Sequence, residues 1–274
     1  MPPPAARVCP DRFAGRTAVV TGAASGIGRA TALRLAREGA AVACVDRNAN
    51  GAAETAAAIR ADGARAFDVA CDIARSAEVN AAARRIETEL GPASALANVA
   101  GIGDVAGLDG IENLPDDRWQ QVLDVNVNGA FYWCRALLPG MAARGAGAVV
   151  NVSSLAGRSK SANANLAYTT SKAALLGMTR HLASDYGRRG VRVNAICPGG
   201  VDTPMLRAAA ALAAASPEAT AARAKGLAAY QFFMPIQRMS SPDEQAAALL
   251  WLLSDDASYV NGVSLDVNGG LYMA

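Results

Sequence analysis

The stretch from Thr17 to Asp46 constrains the fold of this chain more than any other. Thr17 to Thr21 (TAVVT) is a short apolar run that passes straight into the glycine turn GAASGIG. The turn leads into RATALRLAREGA, whose apolar residues recur at helical spacing. Gly22, Gly26 and Gly28 let the backbone turn tightly and approach a ligand. Ser25 and Ile27 lie among them, where N–H groups at the helix start can face a pyrophosphate. A glycine turn alone also merely ends strands, so the next segment matters. Ala41 to Val45 (AVACV) reads as a second strand running into Asp46, 18 residues beyond Gly28. There, an acid of a dinucleotide-binding unit accepts hydrogen bonds from the adenosine ribose. The same carboxylate would repel a 2′-phosphate, which favours NAD over NADP. Arg47 beside it acts in the opposite sense, as a base able to meet that phosphate.

The alternation continues down the chain. A helix is predicted from about Asn50 to Asp62, then a strand from Arg65 to Cys71 ending at Asp72 and Ile73. A helix from Ser76 to Leu90 follows, and a strand from Ser94 to Val99 runs into Ala100-Gly101. Gly103 to Gly110 reads as a loop and Asp116 to Gly140 as one long helix. On that helix Trp119, Val122, Leu123, Val127, Phe131 and Leu138 are available for burial. Asn126 interrupts it, either bonding to backbone or holding a water. Strands at Ala148–Val152, Val191–Ile196 and Ser264–Val267 and a helix at Asp243–Leu253 complete the pattern. Strand followed by helix, repeated, requires a parallel sheet with helices on both faces and ligands at the carboxyl ends of the strands. The Ala-rich piece at about 205–234 is predicted to be a small helical lid after strand six, with Met205 and Leu206 facing substrate.

Composition excludes several other functions. With 26 basic and 24 acidic residues in 274, the net charge of +2 offers no field for nucleic acid or an anionic membrane. Five scattered cysteines without CxxC spacing read as reduced, mostly buried thiols. The single histidine, His181, cannot supply a His-cluster metal site, and no metal is expected. Residues 1–12 (MPPPAARVCPDR) lack the apolar core of a signal peptide and read as a flexible extension. No run of about 18 apolar residues offers a membrane span, so the expected location is the cytoplasm.

Tyr168 and Lys172 stand four positions apart, one above the other on a helix. Such a pair is often only a solvated face. With reference pKa values of about 10 and 10.4 neither group is useful alone at neutral pH, yet a fixed positive charge beside Tyr168 would lower its pKa. Topology brings Ser153-Ser154, at the end of the fifth strand, to the same sheet edge as the glycine turn.

Taken together, these residues resemble the classical short-chain dehydrogenases/reductases from about Phe13 to the end. The resemblance rests on TGAASGIG (Thr21–Gly28), Asp72-Ile73, Asn98-Val99-Ala100-Gly101, Asn126, Asn151-Val152-Ser153-Ser154, Tyr168-Thr169-Thr170-Ser171-Lys172, and Pro198-Gly199 with Val201 and Thr203. It implies a single doubly wound Rossmann-type α/β domain over 13–274. It also implies Tyr168 as general acid/base, Lys172 lowering its pKa and holding the nicotinamide ribose, Ser154 polarising the substrate oxygen, and Asn126 holding a relay water. Asp46 would bind the adenosine ribose, Asp72 and Ile73 would flank adenine, and Asn98, Ala100, Gly101, Pro198 and Gly199 would line the cofactor. Val201 and Thr203 would contact the carboxamide. The implied function is hydride transfer between NAD(H) and a secondary alcohol or ketone in a homotetramer or homodimer. Alternatives are an NADPH-dependent ketoreductase of acyl-carrier substrates, for which Arg47, Arg158 and Lys160 supply basic groups, and a non-catalytic dinucleotide sensor. The sequence departs from the family in three places. The Ser154–Tyr168 gap is one residue longer than usual, Val99 replaces a second Asn, and Asn268 stands where Asp is frequent.

Overall fold

The computed structural model describes residues 7–103, 110–159, 164–207 and 232–273. Seven strands, β1 (Thr17–Thr21), β2 (Ala41–Asp46), β3 (Ala66–Ala70), β4 (Ala93–Asn98), β5 (Gly147–Val152), β6 (Val191–Pro198) and β7 (Ser264–Val267), form one sheet in the order β3-β2-β1-β4-β5-β6-β7. All six pairings are parallel. The order reverses between β1 and β4, and a crevice opens at such a switch point. Every residue of β1 is buried, as expected for a strand covered on both faces, so it reads as a continuous apolar run.

The helices are α1 (Gly26–Arg37), α2 (Ala49–Ala61), α3 (Ser76–Leu90), α4 (Asp116–Leu123), α5 (Gly129–Ala143), α6 (Leu166–Gly187) and α7 (Pro242–Leu253). Leu35, Ile59, Leu249 and Leu250 bring α1, α2 and α7 together with Phe13 in one core layer. Ile86, Trp133, Leu137 and Leu138 build the layer across the sheet from α3 and α5.

The predicted continuous helix over Asp116–Gly140 is corrected: a π turn at Asp124–Asn128 separates α4 from α5. Val122 and Leu138 are buried as expected, whereas Phe131 is exposed and lies beneath the Arg135 guanidinium, 4.9 Å away. The described part of the expected extension is tied to the domain. Arg34 donates to the Arg7 carbonyl and Arg12 pairs with Glu38 at 3.2 Å. The predicted lid falls largely on 208–231, outside the described residues, as do Lys160 and most of the 103–110 loop.

Candidate active site and dinucleotide cleft

The glycine turn has the backbone that its composition predicts. Gly22 and Gly26 adopt φ of +70° and +53°, and a Cβ on Gly28 would stand 2.1 Å from the Gly22 carbonyl oxygen. Ser25 is the N-cap of α1 but makes no side-chain capping bond, and no acid occupies the first turn. The first N–H groups of α1 therefore have no local capping acceptor and can serve an anion. The turn borders a cleft of about 320 Å³ lined also by Asp46, Arg47, Asp72, Ile73, Ala100, Gly101, Thr203 and Met205. One Asp46 oxygen accepts from the Ala24 amide at 3.0 Å and the other from the Asn48 amide at 2.9 Å, which fixes the carboxylate at the end of β2. Bare glycine, open helix amides and an acid at the rim suit a dinucleotide's pyrophosphate and ribose.

Not every predicted contact reaches this cleft. Asn98 is buried, and its amide donates to Asn151 at 2.9 Å inside the sheet, so Val99 to Ile102 line the cleft instead. Gly199 packs against the Asn268 backbone, Val201 is buried and bridged to Ser240, and Leu206 is half-buried. Pro198 is the last residue of β6. Asp72 accepts from the Ala74 amide, and Ile73 packs where Gly129 leaves room for it.

Beside the cleft lie the residues that open α6. Asn165 caps the helix by accepting from the Tyr168 amide at 2.9 Å, which places Tyr168 in the first turn and Lys172 one turn on. Ser154 is near enough to Tyr168 to act on the phenol's pKa, and its Oγ accepts from the Ala156 amide at 3.1 Å. Ser153, the alternative that spacing left open, instead donates to the Lys172 carbonyl at 2.7 Å. Lys172 is 4% exposed; its Nζ donates to the Val152 carbonyl at 2.8 Å and lies 5.6 Å from the Tyr168 ring centre. Asn126 is also buried. Its Oδ1 accepts from the Ile102 amide at 2.8 Å, and its Nδ2 donates to the Ile102 carbonyl and to Ser171 Oγ, each at 3.0 Å. Of the two readings of Asn126, its side chain follows the one that bonds to backbone. A Cβ on Gly101 would come within 3.1 Å of Asn126 Oδ1 and 3.3 Å of Lys172 Nζ, so that glycine brings the cleft wall against both.

The electrostatics differ from the expectation. Burial raises the Tyr168 pKa, partly offset by Ser154, while burial lowers Lys172 to about 8. Desolvation outweighs the expected stabilisation of phenolate by Lys172, because the ammonium is directed to a carbonyl and not to the phenol. The hydroxyls of Ser154 and Tyr168 form a donor pair for one small oxygen, with a titratable amine behind it.

Three residues with supporting roles escaped the sequence reading. Thr21 Oγ1 accepts from the Val99 and Ala100 amides, each at 3.0 Å, and so holds the cleft wall. Ser171 joins Asn126 to the Tyr168 carbonyl, and Asn165 sets the start of α6. Only Asn165 carried a signal, as an N-cap residue type just ahead of a helical pattern.

Comparison with known proteins agrees with this geometry. The family described as "short chain dehydrogenase" matches residues 16–212. The 3beta-hydroxysteroid dehydrogenase of Mediterraneibacter gnavus is 37% identical over 267 residues, covering 94% of this chain and 95% of that protein. A 3-oxoacyl-[acyl-carrier protein] reductase of Brucella melitensis with bound NAD superposes with a TM-score of 0.83 at 34% identity, covering 98% of each chain. A structure titled as a putative NAD(P) dependent gluconate 5-dehydrogenase of Beutenbergia cavernae, with bound NADP, gives 0.85 at 37%, covering 96% and 99%. The chain belongs to the short-chain dehydrogenase family and is an NAD(P)-dependent oxidoreductase of alcohol and ketone substrates.

Proposed function

We propose that this enzyme interconverts a secondary alcohol and its ketone with NAD(H) preferred, Tyr168 acting as general acid/base. The observation that carries the reading is the grouping of Ser154, Tyr168 and Lys172 beside the dinucleotide cleft: Lys172 Nζ lies 5.6 Å from the Tyr168 ring centre and directly behind Gly101 of the cleft wall. In reduction both hydroxyls donate to the carbonyl oxygen, and Tyr168 gives up its proton as the alkoxide forms. In oxidation Tyr168 takes the alcohol proton while Ser154 holds the oxygen in place. When bound, the oxidised nicotinamide supplies the hydride acceptor and a positive ring. Lys172 holds the ribose and passes protons between Tyr168 and the Asn126 region. Asp46, already oriented by two amides, takes the adenosine ribose hydroxyls and disfavours a 2′-phosphate.

A second reading rests on Arg47, exposed at the cleft rim beside Asp46, where it can meet a phosphate. It gives an NADPH-dependent ketoreductase of acyl-carrier substrates. Absorbance of the reduced nicotinamide with both cofactors, over a panel of secondary alcohols, ketones and acyl-carrier thioesters, separates the two. A higher kcat/KM with NAD on small alcohols supports the first, and NADPH preference on carrier-bound ketones the second. The working form is a cytoplasmic homotetramer or homodimer, in which exposed Phe131 is covered; a monomer by light scattering would contradict it.

A further inference from the structure

Arg158 ends the short 3₁₀ turn Leu155–Gly157 that Ser154 opens. The turn is stiff: Gly157 N donates to the Ser154 carbonyl and Arg158 N to the Leu155 carbonyl, each at 2.9 Å, and Ser154 Oγ accepts from Ala156 N. Its inner side rests on α6, where a Cβ at Gly157 would stand 2.7 Å from the Lys172 carbonyl group. Its outer end is gripped by the Arg158 guanidinium, which pairs with Asp266 of β7 at 3.1 Å and lies 5.3 Å over the Tyr272 ring. Tyr272 is returned to that position by Asn268, whose Oδ1 accepts from the Gly270 and Tyr272 amides and whose Nδ2 donates to the Tyr272 carbonyl. One guanidinium therefore joins the Ser154 turn, the last strand and the C-terminal turn.

This pair is not a surface ornament. Its side chains are 22% and 21% exposed, and Arg158 Nε and Asp266 Oδ1 are both buried without a hydrogen-bond partner among the described residues. An incompletely bonded, half-buried ion pair is a poor device for stability, since apolar residues of the same volume often do as well. What it provides is direction, because a guanidinium held by a carboxylate and a ring face has little rotational freedom. We infer that Arg158 is a positioning residue: braced by Asp266 and Tyr272, it sets the Ser154 turn so that Ser154 Oγ and Tyr168 bind the same substrate oxygen. The inference rests on the reading of Ser154 and Tyr168 given above.

The test compares Arg158→Met, Arg158→Lys, Asp266→Asn, the Arg158→Met/Asp266→Asn double variant and Tyr272→Leu with the parent enzyme. Turnover is read on the best secondary alcohol of a panel and NAD affinity by fluorescence titration. A small misplacement of a reacting group can cost about 100-fold, so Arg158→Met should lower kcat by roughly 10- to 100-fold with NAD affinity within about twofold. Arg158→Lys, which keeps a charge for Asp266 but not the flat guanidinium over Tyr272, should recover only part of the loss, and the double variant should be no worse than the poorer single one, because no buried charge is then left alone. Should Arg158→Met fail to fold, Tyr272→Leu, which leaves the ion pair intact, should still show a kcat loss at unchanged NAD affinity. A folded Arg158→Met with parental kcat, or losses that follow NAD affinity throughout, would overturn the inference. A parent that binds NAD yet turns over no alcohol or ketone would overturn the underlying reading instead.

Discussion

Lys172 shows how a residue proposed to act in the site works against the fold that holds it. Burial lowers its pKa to about 8 from 10.5, a cost on the order of 3 kcal/mol at neutral pH, where both folded and unfolded chains carry the charge. Between about 8 and 10.5 the folded chain has released that proton and the unfolded chain has not, so this contribution makes stability rise with pH across that window. Lys172→Met should therefore melt higher than the parent at pH 7, with a gap that closes toward alkaline pH, while losing activity. Calorimetry over that pH range checks it. Because burial raises Tyr168 and lowers Lys172, the amine is the first of the two groups to release a proton as pH rises. The kcat/KM for oxidation should rise with pH through about 8, as the first proton leaves the pair, and that for reduction should fall across the same range. At the cofactor end, Asp46→Ala should improve the use of NADP relative to NAD, and an unchanged ratio would remove Asp46 from cofactor choice.

At the scale of elements, α7 begins with a capping box in which Ser241 and Glu244 serve each other's backbone amides. Arg238 holds Glu244 well below the carboxylate range, at about 2. The stabilisation from this group is complete above about 4.5 and is lost as pH falls through about 2, so acid unfolding should begin later in the parent than in Arg238→Met. Ser241→Ala should cost about 1 kcal/mol, read from the denaturant midpoint. Strand β1 was legible in the sequence because burial on both sheet faces leaves a nearly continuous apolar run before the glycine turn. The π turn was not. It coincides with a non-local contact: Asn126 is bound on both sides of its amide to Ile102, 24 residues earlier, which no helical periodicity encodes.

For the whole molecule, the alternation of strand and helix predicted the parallel sheet and the edge at which Gly22, Asp46, Ser154 and Tyr168 meet. It could not show which side chains at that edge face inward. Asn98 and Ser153 carry the polar chemistry of a cleft but bond within the interior, and only packing distinguishes them from Ser154. The same is true of Arg158, whose partners Asp266 and Tyr272 lie more than a hundred residues away. The central claim is that the Tyr168 hydroxyl moves the substrate's proton. Tyr168→Phe keeps the ring that packs against Lys172 and deletes only that group, so the most direct measurement is its single-turnover rate with NAD bound to saturation. The account predicts a loss of roughly 100- to 10,000-fold with cofactor affinity and melting temperature preserved. A variant within a fewfold of the parent would contradict it.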